Sequence, residues 1–265
     1  MTISSKISSD LGKQNALKVI TGLDNFNVPQ IKQMALASEI AKVTYLDIAA
    51  DTNIIKQVES VSKIPICVSA VKSQELLKCQ KAGVNILEIG NYDCFYEQGR
   101  MFNSEEIKLI SKEIRNSLPN TTLCVTLPHI LEIEEQIRLA YDLQKIGVDM
   151  IQTEGKSTSI SQIDHLSSLI QKSASTFSST YAISSKIHLP IISASGVSSL
   201  TSPIAFLYGA SGIGVGANIK RLQNIKSMVM YIYEIRTAIS SNHNIKHNIN
   251  HSIKSSKIIR QLISY

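Results

Sequence analysis

What the chain does not contain narrows it first. No run of apolar residues comes near the roughly 20 that a membrane-crossing helix needs. With 43% hydrophobic content, the 265-residue chain reads as a soluble protein with no membrane partner. Residues 1–12 are rich in serine and carry one acid but lack the apolar core of a secretory signal. They read as a disordered lead-in or a short helix over the end of the fold. Cysteine is scarce: Cys67, Cys79, Cys94 and Cys124 form neither a CxxC nor a Cys/His pattern, which leaves free thiols in a reducing compartment. Acid is missing from residues 241–265, which hold Lys246, Lys254, Lys257 and Arg260. That tail carries +4 of the formal net charge of +6, so the body holds only +2 and nucleic acid is not an expected partner. His243, His247 and His251 would line one helical face and could hold a metal. The surrounding Asn and Ser disfavour a helix there, so no metal site is assigned and a disordered tail is expected.

What is there is a period. Eight runs of strand-forming residues, at 19–24, 44–50, 66–71, 86–91, 123–128, 150–155, 191–196 and 212–217, are each followed by an amphipathic helical stretch. Eight strand-then-helix units in this length predict a single (β/α)8 barrel of aldolase type, an α/β fold, over residues 17–240. Residues 1–16 are then a lead-in and 241–265 a basic, His/Asn-rich tail. Helix stops support the repeat, since Gly83, Gly147 and Gly209 each fall just ahead of a strand.

Alternation along the strands separates an outward face from an inward one. Leu46 and Ile48 oppose Asp47. Leu87 and Ile89 oppose Glu88. Ile66 and Val68 oppose Cys67 and Ser69, Leu123 and Val125 oppose Cys124 and Thr126, and Ile151 opposes Gln152 and Glu154. The aliphatic face suits the helix layer, so the polar face is assigned to the interior. Asp47, Glu88 and Glu154 then converge near the C-terminal ends of strands two, four and six. Burying several carboxyls together raises at least one pKa, which suits acid/base chemistry near neutrality. Asp93, Arg100, His129 and Lys156 are further candidates in the loops above. No lysine is expected inside a strand end, which weighs against a Schiff-base aldolase mechanism.

The last two units carry glycine where a barrel often seats a phosphate. Ser195 and Gly196 end strand seven, and Gly216 and Ala217 end strand eight. Backbone N–H groups and a short extra helix could hold the anion there. The alternative is that these glycines only relieve crowding. A phosphate role predicts that Gly216→Asp abolishes binding of phosphorylated ligands with the fold intact.

Several motifs in register, Ile89-Gly90-Asn91-Tyr92-Asp93, Gln98-Gly99-Arg100, Cys67-Val68-Ser69-Ala70-Val71, Val125-Thr126-Leu127-Pro128-His129, Ile151-Gln152-Thr153-Glu154-Gly155 and Tyr181-Ala182-Ile183-Ser184, resemble the hypothetical chloroplast reading frame twenty-three family. The resemblance covers about residues 18–236. It implies an aldolase-type barrel in a plastid stroma or a cyanobacterial cytoplasm, and carries over no catalytic residue. Lys156 stands where a second glycine is expected.

The leading functional expectation is a lyase or isomerase acting on a small phosphorylated metabolite through Asp47, Glu88 and Glu154. An FMN-dependent oxidoreductase would use the same cradle, with Gln152 near the flavin ring. A barrel that binds a metabolite as a regulator, without catalysis, is the reading from another class.

Overall fold

A computed structural model describes residues 5–90, 92–96, 98–155 and 165–240. Eight parallel strands close into a barrel in chain order, with β8 returning to β1. The elements run α1 (Ser5–Gly12), β1 (Ala16–Ile20), α2 (Val28–Ile40), β2 (Tyr45–Ala49), α3 (Thr52–Glu59), β3 (Ile66–Ala70), α4 (Ser73–Lys81) and β4 (Ile86–Ile89). They continue with α5 (Asp93–Tyr96), α6 (Ser104–Ser117), β5 (Thr122–Thr126), α7 (Ile133–Ile146), β6 (Met150–Thr153), α8 (His165–Ser184), β7 (Ile191–Ala194), α9 (Ser202–Leu207), β8 (Gly212–Val215) and α10 (Ala217–Lys220). A final helix spans 225–240. The basic tail and its three histidines lie outside the described residues, as does Lys156.

Two apolar layers follow from the period-two alternation. The outer one joins strand residues such as Leu46, Ile48, Val68, Leu87 and Ile151 to the helices. The inner one is a plug of Ala16, Tyr45, Cys67, Ile86, Cys124, Met150 and Ile192, closed from below by Ile7 and Leu11 of α1. Of the two readings of the N-terminus, the short helix over the barrel floor is what forms. The outer face of β6 and β7 departs from the aliphatic rule. Thr153 and Ser193 point outward to Thr180 of α8, at 2.7 and 2.8 Å, and Thr180 Oγ1 also lies 2.9 Å from the Thr176 carbonyl. Paired hydroxyls are tolerated in a helix–sheet seam because each finds a partner.

Local signals account for the boundaries. Gly147 ends α7 in the left-handed conformation, φ +93°, returning its N–H to the helix. Asp51 begins α3 by accepting the amides of Asn53 and Ile54. The first strand starts three residues earlier than expected, at Ala16 rather than residue 19. With Leu17 and Val19 in the outer layer, the alternation turns Lys18 inward. Ala217 opens α10 rather than ending β8.

Candidate active site at the C-terminal mouth

Lys18 stands at the centre of the barrel interior and is fully buried. Its Nζ lies 3.1 Å from Asp47 Oδ2 and 2.5 Å from Glu88 Oε2, and donates to Gln152 Oε1 at 2.8 Å. Three donors thus meet three acceptors, and the ammonium has no capacity left. Burial alone would pull its pKa down, but Asp47 and Glu88 outweigh this and hold it well above the usual lysine range. The sequence expectation concerned lysines at strand ends and did not reach this one, which lies in the middle of β1. A fully committed ammonium is nevertheless no nucleophile, because Schiff-base chemistry needs the free amine.

The remaining polar groups of this layer are satisfied around that ion. Ser69 Oγ donates to Asp47, and Thr126 Oγ1 donates to Glu88 at 3.1 Å. Gln152 Nε2 reaches Glu88 at 2.9 Å, Thr126 Oγ1 at 3.2 Å and Glu154 Oε1 at 3.2 Å. Burial lifts the Glu88 pKa, Lys18 offsets part of the rise, and Asp47 adds to it. Gln152 is fully buried with both ends of its amide engaged, so it does not fit the flavin-contacting role expected of it.

The three expected carboxyls therefore divide. Asp47 and Glu88 belong to the lysine cluster, whereas Glu154 sits one residue beyond β6, 8% exposed. Burial first, then the charges of Asp93 and Glu88, push its pKa up to about 8. Of the three, it is the carboxyl both near the mouth and able to exchange a proton near neutral pH.

The loop after β4 leans over this point. Tyr92 is buried and donates to the Thr126 carbonyl at 3.0 Å, pinning the loop to β5. Asp93 Oδ1 lies 3.3 Å from His129 Nε2, and the His129 ring stacks on Tyr96 with centroids 4.9 Å apart. Burial and the nearby Glu154 and Asp93 charges raise the Tyr96 pKa. Asp93 and His129 thus lie together beside Glu154. Arg100 does not: it pairs with Glu106 at 2.7 Å and lies over the Phe102 ring at 4.5 Å. Among the described residues, no group of three or more His, Cys, Asp or Glu is arranged to hold a metal ion.

On the β7–β8 side, Ser195 and Gly196 adopt consecutive left-handed conformations, φ +74° and +69°. Thr176 Oγ1 donates to the Ser195 carbonyl and Thr201 Oγ1 to that of Gly196, both at 3.1 Å. Because a trans peptide sets N–H opposite C=O, the amides of Gly196 and Val197 point away from these threonines. The strand-eight glycines answer to packing. A Cβ at Gly212 would lie 2.7 Å from that of Ala16, one at Gly214 2.9 Å from Ile20 Cδ1, and one at Gly216 2.5 Å from the Ile20 carbonyl oxygen. Gly216→Asp would therefore disturb the barrel wall, contrary to the expectation of an intact fold.

A cavity of about 680 Å³ opens at the opposite end, beside Ile7 and Thr122. It lies across the plug from the carboxyls, at the face that in such barrels serves stability rather than chemistry.

Eight parallel strands closed in chain order, with helices between them, define the aldolase-type (β/α)8 fold class. Solved structures agree in fold. The geranylgeranylglyceryl phosphate synthase of Thermoplasma acidophilum, in complex with sn-glycerol-1-phosphate, matches with TM-score 0.60 at 11% identity, over 90% of this chain and 98% of that one. A 3-hexulose-6-phosphate synthase matches with TM-score 0.57 at 15% identity, over 84% and 99%. An aldolase, QR15, matches with TM-score 0.58 at 17% identity, over 89% and 98%. The chain belongs to the family described as "Protein of unknown function (DUF561)", whose model matches residues 3–245. It is 83% identical to "Uncharacterized protein ycf23" of Porphyra purpurea over the full length of both, and 66% identical to that of Pyropia yezoensis over 100% of this chain and 97% of the relative. The resemblance read from the motifs is thereby shown.

Proposed function

We propose that this barrel is an enzyme of plastid metabolism, a lyase or isomerase that moves a proton on a small phosphorylated substrate. The observation that carries the reading is Glu154, a nearly buried carboxyl at the strand-six rim with its pKa pushed up to about 8. At pH 7 it is mostly protonated and placed to donate a proton to a leaving or enolate oxygen. Below it, the Lys18 ammonium with Asp47 and Glu88 gives a fixed charged floor that needs no rearrangement as charge develops above. The Asp93–His129 pair, held by the Tyr96 ring, supplies a second proton-handling group on the same rim. The amides of Gly196 and Val197 and the start of α10 would seat the phosphate. Names of fold neighbours support this substrate class, since they include a sugar-phosphate synthase and a synthase holding glycerol phosphate. Relatives named ycf23 support a plastid location, and the stroma is the compartment we assign within it.

The test is a thermal-shift screen with phosphorylated metabolites, followed by Glu154→Gln in the turnover assay this yields. The variant is expected to keep ligand binding and lose at least about a hundredfold in kcat. Full activity in that variant would clear Glu154 of a chemical role.

A further inference from the structure

A second hollow lies on the same rim, above β1 to β4 and apart from the glycine turn. Its volume is about 350 Å³, at the small end of ligand pockets. Leu23 and Phe26 come from the loop after β1, Val71 from the loop after β3, and Phe95 from α5. Four apolar side chains from three loops thus surround a space, and Phe26 remains 62% exposed. Such a wall gains free energy when an apolar group displaces water from it. At the inner end of the hollow is Ser69, whose hydroxyl donates to Asp47 of the lysine cluster. The hollow therefore adjoins the charged floor on which the proposed reaction rests.

Charge at its edge is mostly committed. Asp51 accepts two amides at the start of α3, and Lys72 pairs with Glu75 at 3.4 Å. Lys78 makes no ion pair with a described residue and presents its ammonium, unpaired, at the outer lip.

We propose that this hollow is a second substrate subsite, taking an apolar portion the size of one ring or a short branched chain that ends in a carboxylate facing Lys78. The inference rests on the phosphorylated-substrate reading above and sharpens it. The substrate is anionic at both ends, with phosphate at the β7–β8 turn, the reacting carbon over Lys18 and Glu154, and the apolar body across the mouth. A single ring fits the space.

The probes are 4-carboxyphenyl-alkylphosphonates with one to four methylenes, compared with methylphosphonate by calorimetry on the full chain. The wild type is expected to bind the best of the series at least tenfold more tightly than methylphosphonate. Phe26→Ala is expected to remove about fivefold to tenfold of that gain, and Lys78→Glu about fivefold. Both side chains are exposed, so neither change threatens the fold, and methylphosphonate affinity should stay within twofold. If methylphosphonate binds and the longer probes gain nothing, or if both variants keep the full gain, the subsite is overturned while the phosphate seat stands. If no phosphonate binds, the phosphate seat and this inference fail together.

Discussion

The interior of this barrel has two unlike sides, one of six strands and one of two. From β1 to β6 the central layer is Lys18, Asp47, Ser69, Glu88, Thr126 and Gln152, joined side chain to side chain. From β7 to β8 the inward positions include Gly212 and Gly214, where the space belongs to Ala16, Ile192 and Ile20 reaching in from neighbouring strands. One side is held by matched charge and is vulnerable to losing a partner. The other is held by close approach of backbone and is vulnerable to added volume. On the proposed reading, the first side would supply the proton-handling group and the second the backbone anion seat.

Breaking the charged side should give the largest effect. Lys18→Met leaves Asp47 and Glu88 buried without their cation and should cost on the order of 3–5 kcal/mol in denaturant unfolding. Adding Asp47→Asn and Glu88→Gln should restore most of it. A cost for the single change below about 1 kcal/mol would mean that the ion cluster is not what organises this side.

On the glycine side, Gly216→Ala should cost about 1–3 kcal/mol through its clash with the Ile20 carbonyl oxygen, with little dependence on salt or pH. Gly196→Ala, in a turn at φ +69°, should cost nearer 1 kcal/mol and report more cleanly on phosphate affinity. Equal and pH-dependent losses at both positions would erase the distinction between the sides.

Glu154 gives a subtler contrast, read as pH dependence. Its carboxyl holds a proton in the folded chain up to about pH 8, whereas in the unfolded chain it ionises near the ordinary glutamate value of 4.5. The unfolded state therefore binds fewer protons in that window, and the contribution of Glu154 to stability declines as pH rises from about 4.5 to about 8. Relative to wild type, Glu154→Gln should gain roughly 4 kcal/mol between pH 5 and pH 9. A constant difference across that range would place the Glu154 pKa near its ordinary value. Smallest of all, Arg100→Ala removes a half-exposed pair with Glu106 and a ring contact, and should shift stability by less than about 1 kcal/mol.

Strand alternation made much of this legible. Asp47, Glu88, Gln152 and Glu154 were placed inward because the residues beside them, Leu46, Ile48, Leu87, Ile89 and Ile151, are uniformly aliphatic. The same rule applied to Ala16 through Ile20 finds Lys18 between Leu17 and Val19. It was missed because a charged residue looks like the boundary of a strand rather than its middle. The division of labour among the carboxyls was not legible at all, since Lys18 and Gln152 are 134 residues apart in sequence. Arg100 looked like a mouth residue because its loop is polar; its aromatic neighbours Phe95 and Phe102 claim it instead. The glycines of β8 were visible as a signature, but their crowding by Ile20 and Ile192 depends on the closure of the ring.

The ion cluster has a consequence for how the chain assembles. Lys18, Asp47 and Glu88 come from β1, β2 and β4, so the acids that must enter the interior find their counter-ion within the first third of the polypeptide. The leading half-barrel thus brings one cation to two acids, while the trailing strands add the Thr126 hydroxyl, the Gln152 amide and the Glu154 carboxyl. In pulse-labelled refolding, amide protection in β1 to β4 should precede that in β7 and β8, with the later strands wrapping a nucleus in which the Lys18 ion cluster has formed.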